Sequence, residues 1–212
     1  MARKPSRWKR RKDARPTEIV AAALDVFAER GFSATRLEEV AERAGVSKGT
    51  VYLYFANKED LFKAVVRQAL VPTIAKVETH IREHPASAQE QLAEVFAGMV
   101  GTIATPPAAA IPKLVIAESR NFPDIAKFYL EEVIARGFRL MAGVIERGKA
   151  SGEFRTDVNV DHAVRLAIAP VLLTALWKTS FEPAVGARLD AEPFLKTHFD
   201  VLINGLANKT SR

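Results

Sequence analysis

The chain has 212 residues, 48% of them hydrophobic, with no cysteine and a formal charge of +6. That length can bury a sizeable core, and the missing cysteine excludes a disulfide framework, a thiolate metal site and a cysteine nucleophile. The charge is uneven: residues 1–15 hold Arg3, Lys4, Arg7, Lys9, Arg10, Arg11, Lys12 and Arg15 against Asp13, a local +7, while the remainder holds 23 bases and 24 acids.

A basic tail of this kind attracts polyanions and is expected to stay disordered until it binds, so residues 1–15 read as an arm. No apolar h-region follows it, and no signal peptide is expected. The first helix is expected from about Thr17 to Arg30, with Ile19, Ala22, Ala23, Val26 and Phe27 as its buried stripe and Gly31 as its stop. Thr35 and Glu38 have the spacing of a capping box. Leu37, Val40, Ala41 and Ala44 then repeat at i, i+3, i+4, i+7, one apolar face of a short helix. Gly45 suits a left-handed helix end. Ser47 is the next N-cap candidate, opening a helix of about two turns, Lys48 to Tyr54, too short to stand alone. Together these predict a helix-turn-helix whose second helix meets base edges in the major groove.

Asn57 and Asp60 mark the next helix start. That helix proceeds through Leu61, Phe62, Val65, Val66 and Ala69, and Pro72 is expected to kink or break it near Ala69–Leu70. His80-Ile81-Arg82-Glu83-His84 matches an inverted zinc-protease motif, yet Pro85 ends the helix at once and no third ligand is evident. The residues read as a solvated helix end, and no metal is expected. Ser87 and Glu90 cap a fifth helix carrying Leu92, Val95, Phe96, Met99 and Ile103. Pro112 falls in the first turns of a sixth, ending near Asn121. Pro123 opens a long seventh helix stopping around Ser151-Gly152. The eighth, about Val160–Phe181, is apolar on nearly all sides from Ala163 to Trp177. Its most apolar run, Leu166–Trp177, is twelve residues and contains Pro170, short of the roughly 20 that span a bilayer. The ninth, from about Pro193 to Asn208, shows Leu195, Phe199, Leu202 and Leu206 on one face. No strand of period-2 alternation stands out, and the expected fold is all-α with about nine helices.

The run Ala44–Phe55, AGVSKGTVYLYF, followed by NKEDLF over residues 57–62, resembles the DNA-binding domain of the TetR/AcrR family of bacterial regulators. The resemblance covers about residues 16–62, with a looser likeness over Leu114–Tyr129 to one group of members. It implies a head over residues 16–62, with the motif at 36–55, and a C-terminal effector-binding and dimerisation domain over 63–208. Carried over by position, it implies that Lys48, Gly49, Thr50 and Tyr52 face the groove. Arg36, Ser47, Tyr54 and Lys58 contact the backbone or nearby edges; Arg36 departs from the small hydroxyl residue often found there. The chemistry agrees: Lys48 donates to guanine acceptors, Gly49 lets the backbone approach, and Thr50 offers a hydroxyl and a methyl. Tyr52 and Tyr54 carry hydroxyls to phosphates, and Lys58 sits by a helix N-terminus. Val51 is expected to plug the head.

Phe96, Met99, Phe122, Phe128, Tyr129, Phe138, Met141 and Trp177 could line a cavity for an apolar or aromatic small molecule, or simply fill the core. Leu172, Leu176, Leu195, Phe199, Leu202 and Leu206 are the expected homodimer contacts, because the eighth helix has more apolar surface than one small bundle can cover. The expected function is a cytoplasmic, ligand-responsive regulator, by the resemblance usually a repressor. It would bind a pseudo-palindromic operator as a homodimer and need no cofactor. Two other readings stand beside it: an architectural DNA-binding protein without an effector, and a small helical enzyme. No phosphate loop, nucleophile elbow or carboxylate pair favours the enzyme.

Overall fold

The computed structural model describes residues 7–208, with side chains from residue 15 onward. Nine helices account for the fold of these residues. The head comprises α1 (Arg7–Arg30), α2 (Leu37–Arg43) and α3 (Lys48–Tyr54). Next come α4 (Lys58–Glu83), α5 (Ala88–Ala104) and α6 (Ile111–Glu118), the last preceded by a 3₁₀ turn at Ala108–Ala110. Helix α7 spans residues 123–151 with a π-helical segment at Leu130–Ile134. Helix α8 runs Val160–Val185 with a second π segment at Trp177–Phe181, and α9 is Ala191–Leu206. Among the described residues the only β pairing is an isolated bridge between Phe154 and Ala207.

Three expectations are corrected at the level of single helices. Helix α1 begins at Arg7, so the stretch read as a disordered arm to residue 15 is helical from residue 7, continuous through Pro16. Arg, Lys and Ala are good helix formers, and one proline removes one donor only. Residues 1–6 of the arm lie outside the described residues. Helix α4 runs through Pro72 to Glu83 without the break expected near Ala69–Leu70. Pro72 and Gln68 are both exposed, so water can reach the carbonyl that the proline leaves unpaired. The third concerns α8. At 26 residues it is long and apolar enough to cross a membrane by length and composition, and the twelve-residue argument does not apply to it. Its packing is that of a core helix on one side: Ala163, Val164, Ala167, Val171 and Ala175 are buried among residues of α5, α7 and α9.

The core divides in a way that positions the head. Phe27, Phe32, Phe62 and Phe122 form a chain of aromatic contacts, with ring centroids 4.9–5.5 Å apart. This chain continues the head core, Ile19 to Val66, into Ile111, Leu114 and Ile125 of α6 and α7. Burying each such ring is worth about 1.5–3 kcal/mol, and edge-to-face pairing adds about 0.5–1.5 kcal/mol. A second cluster joins α5, α7, α8 and α9 through Leu92, Met141, Ile145, Phe154 and Ile203. Here α7 approaches closely: a Cβ on Gly148 would lie 2.3 Å from the Phe154 ring and 2.8 Å from Ala88, so only glycine fits. Between α4 and α7, Arg136 donates twice to Glu78, at 2.7 and 3.3 Å. This fork–fork pair is partly buried and fixes the two helices in register.

Candidate nucleic-acid interface

The motif is built by local rules. Gly45 ends α2 with φ +65°, a conformation costly for any side chain, and Val46 N–H returns to Ala41 O at 2.9 Å. Ser47 caps α3, its Oγ accepting from Thr50 N–H at 3.2 Å. Helix α3 has seven residues, and Val51, fully buried, is its anchor. Leu37, Val40 and Ala41 hold α2 beside it. The expected capping box of Thr35 and Glu38 does not form. Arg36 is the N-cap, with Glu39 Oε2 accepting from Arg36 N–H at 3.4 Å. The Thr35 hydroxyl donates instead to Gly31 O at 2.7 Å.

The predicted DNA-contacting residues divide into two groups. Arg36, Ser47, Lys48, Gly49 and Tyr52 are exposed and Thr50 is half-buried, all on one short segment of the surface. A Cβ on Gly49 would meet nothing nearer than Ser47 Oγ at 3.8 Å, so nothing within the chain requires glycine there. Tyr54 and Lys58 are engaged inward. Tyr54 is half-buried against the head core. Lys58 Nζ donates to Ser33 O at 2.9 Å and Thr35 O at 3.0 Å, and lies 4.8 Å from the Phe32 ring centroid. Burial pushes its pKa down, against the attraction of Glu118. Lys58 is thus a clamp on the α1–α2 connection, with at most one donor left for a phosphate.

Sequence reasoning missed what Glu38 does. It forms an ion pair with Lys48, whose ammonium also lies 5.6 Å from the Tyr52 ring centroid. A lysine ten residues after an acid on another helix gives no periodic signal. It also missed the seam beneath the head. Glu118 Oε1 accepts from Ser33 N–H at 3.2 Å and from Ser33 Oγ at 2.6 Å, while Glu118 Oε2 accepts from Asn121 at 3.2 Å. Burial raises the Glu118 pKa, but these bonds and Lys58 outweigh it and hold the carboxyl below its ordinary value.

The residues expected around an effector do not converge. Phe122, Phe128 and Tyr129 belong to the cluster beneath the head. Phe138 and Met141 belong to the second cluster, Phe96 to a third, and Met99 borders the last two. Trp177 Nε1 donates to Ala187 O at 2.6 Å. Burial pushes the Tyr129 phenol up to about 12. Seven of the eight residues are spread through packed core, and Trp177 lies half-buried outside the three clusters. A separate cleft of about 360 Å³ opens between α4 and α5, lined by Ala69, Thr73, Gly98, Gly101, Thr102, Thr105 and Ala108. The Thr102 and Thr105 hydroxyls turn back to Gly98 O and Gly101 O, both at 2.9 Å. Of the expected dimer contacts, Leu195 and Leu206 are buried within their own chain, at 2% and 4% exposure. The exposed apolar side chains of α8 and α9 are instead Leu166, Leu173, Phe181, Val185 and Val201. His80 and His84 stack at 4.1 Å, and His80 Nε2 lies 3.0 Å from Glu94.

An all-helical chain carrying a short helix with exposed hydrogen-bonding residues at its start, on a helix-turn-helix head, is a DNA-binding regulator in class. Residues 19–65 match the family described as bacterial regulatory proteins, tetR family, and residues 86–191 match the tetracyclin repressor-like C-terminal domain. The chain belongs to the TetR family of DNA-binding transcriptional regulators. It is 26% identical over 193 residues to the fatty acid metabolism regulator protein of Bacillus subtilis, covering 91% of this chain and 95% of that one. It is 27% identical over 198 residues to the transcriptional repressor KstR2 of Rhodococcus jostii, covering 93% of each. The crystal structure of Bacillus subtilis FadR in complex with stearoyl-CoA superposes with a TM-score of 0.70 at 24% identity, covering 90% of this chain and 98% of that one. These relatives are transcriptional regulators.

Proposed function

We propose that the protein is a homodimeric repressor in the bacterial cytoplasm that binds a pseudo-palindromic operator and is released by an apolar small molecule. The exposed segment of Arg36, Ser47, Lys48, Gly49, Thr50 and Tyr52 carries this reading. It presents hydrogen-bonding groups at the start of a helix that Val51 anchors inward, with Leu53 exposed beside Tyr52 on the same helix. The head is residues 16–62, and residues 63–208 form the effector-binding and dimerisation domain. Arg7 to Arg15 extend α1 as a basic rod and add sequence-independent phosphate attraction. Dimerisation uses α8 and α9. An open groove of about 460 Å³ runs between them, with Ala163, Leu166, Ala169, Pro170, Val201 and Leu202 in its lining. The exposed leucines and valine beside it are an apolar patch that a second copy covers isologously.

The effector enters at the cleft between α4 and α5. Its small residues and inward-turned hydroxyls leave mostly methyl and methylene surface, which suits a slender apolar ligand. The complex of FadR with stearoyl-CoA makes long-chain acyl thioesters the first probes. The test is selection of bound duplexes from a random pool, followed by release with acyl-CoA or steroid probes and melting curves alongside. A ligand at about 100 times its Kd should stabilise the protein by about 2.7 kcal/mol. If the protein enriches no palindrome, the reading fails.

A further inference from the structure

We propose that Glu38 is a specificity-determining residue of the DNA interface: paired with Lys48, it makes the two side chains read one G·C base pair together. This rests on the reading of α3 as the DNA-contacting helix. The observation is an ion pair between α2 and α3 on the exposed face, with side-chain exposures of 54% for Glu38 and 53% for Lys48. The Tyr52 ring lies under the same ammonium at 5.6 Å. A carboxylate on a surface that must meet polyphosphate is unfavourable, because it repels every duplex regardless of sequence. It also cancels the charge of the lysine best placed to enter the groove. A head that only needed affinity would do better with glutamine there.

The arrangement makes sense as recognition. An unpaired lysine is a flexible point charge that binds phosphates and purine acceptors alike. Held by Glu38 and seated over Tyr52, Lys48 has its ammonium confined, and the pair is neutral as a unit. Favourable docking then needs a partner that satisfies both ends. In the major groove a G·C pair presents two adjacent acceptors, guanine N7 and O6, beside one donor, the cytosine N4 amino group. The ammonium takes the acceptors and the carboxylate takes the amino hydrogen. An A·T pair separates its acceptors by a donor and adds a thymine methyl, against which a carboxylate would be desolvated without a partner. Glu38 therefore acts partly by exclusion, penalising wrong bases rather than strengthening the right one. The charge environment agrees: the Lys48 hydrogen bond holds the Glu38 carboxyl below its ordinary value, and Glu38 raises the Lys48 pKa.

The experiment is duplex selection from a random 30-base-pair pool with wild type and Glu38→Gln, with affinities for the selected operator and an unselected duplex measured against salt. Glu29→Gln is the control. It breaks the bidentate Glu29–Arg43 pair, also on the head, at 3.0 and 2.8 Å, and should change none of the readouts. For Glu38→Gln we expect discrimination at one G·C pair per half-site to fall about tenfold. Binding to the unselected duplex should rise, and the slope of log K against log salt should steepen by about one phosphate contact as Lys48 is freed. In a Lys48→Ala background, Glu38→Gln should no longer relax that position. Identical selected sequences and slopes for wild type and Glu38→Gln would overturn the proposal, as would a relaxed position that is A·T. A wild type that selects no sequence would instead overturn the DNA-binding reading itself.

Discussion

The dimer surface gives the sharpest test, because exposure within one chain separates folding from association. Leu166 is 64% exposed, so a protomer buries only about a third of it. Full burial of a leucine is worth about 1.5–3 kcal/mol, so Leu166→Glu should cost a protomer roughly 0.5–1 kcal/mol. In an isologous interface the same change places a carboxylate in a desolvated contact twice per dimer, at a cost of several kcal/mol. About 4 kcal/mol corresponds to a roughly thousandfold rise in the dissociation constant. Sedimentation velocity over a concentration series should show folded monomer, with helical circular dichroism retained. Val201→Glu, on a residue 66% exposed, should behave alike. Leu195→Glu should unfold the chain, since Leu195 lies in its own core. A Leu166→Glu protein that sediments as a dimer with unchanged melting would refute the placement of the interface.

Other outcomes follow from single contacts. Lys48→Ala should cost about 1–3 kcal/mol on the operator and less on random DNA, whereas Val51→Ala should lower stability by about 2–3 kcal/mol through a cavity beneath α3. Gly148→Ala forces a methyl into the Phe154 ring and Ala88, and should destabilise by about 1–3 kcal/mol in urea unfolding while leaving the head's contacts intact. Deleting residues 2–12 should weaken binding on all sequences and flatten its salt dependence; an unchanged slope would make the basic extension a bystander. Because the Glu118 carboxyl is held below its ordinary value of 4.5, its contribution is complete above that value and lost as pH falls through the depressed one. The difference in melting temperature between wild type and Glu118→Ala should therefore stay constant from about pH 7 to about pH 5, and a shrinking difference there would contradict the assignment.

What the sequence disclosed is what local rules govern. Ser47, Asn57 and Ser87 act as caps, and Gly31, Gly45 and Gly152 end helices with positive φ. Each depends on residues within one turn, so each was legible. Thr35 failed because its hydroxyl donates back to Gly31 O and the helix began one residue later, at Leu37. Pro72 failed for another reason: the cost of one lost bond is small against a helix packed through Leu61, Phe62, Val65, Val66 and Leu70. Leu195 and Leu206 share a face with Leu202, but periodicity does not tell a face turned toward the same chain from one turned toward a partner. The Glu38–Lys48 pair and the Ser33–Glu118 contact join separate elements across 10 and 85 residues, and no pattern in one sequence specifies such pairs.

The position of α6 shows how these non-local contacts bear on function. At its N-terminal half Lys113 Nζ donates to Thr179 O at 2.7 Å, within the π segment of α8. At its last residue Glu118 grips Ser33 between α1 and α2. Eight residues rise about 12 Å, so one short helix connects the helix proposed for dimerisation to the loop that Lys58 clamps under the head. Ala108 of the 3₁₀ turn leading into α6 lines the same cleft as Gly98 and Thr102 of α5, so a ligand in that cleft would touch both elements. Movement of α6 along its axis must carry Ser33 with it or break a 2.6 Å charge-assisted bond. Either outcome changes the stance of the head relative to α8. Coupling of the two sites then depends on the effector preferring one of those arrangements, and its size is set by that preference and not by the distance spanned.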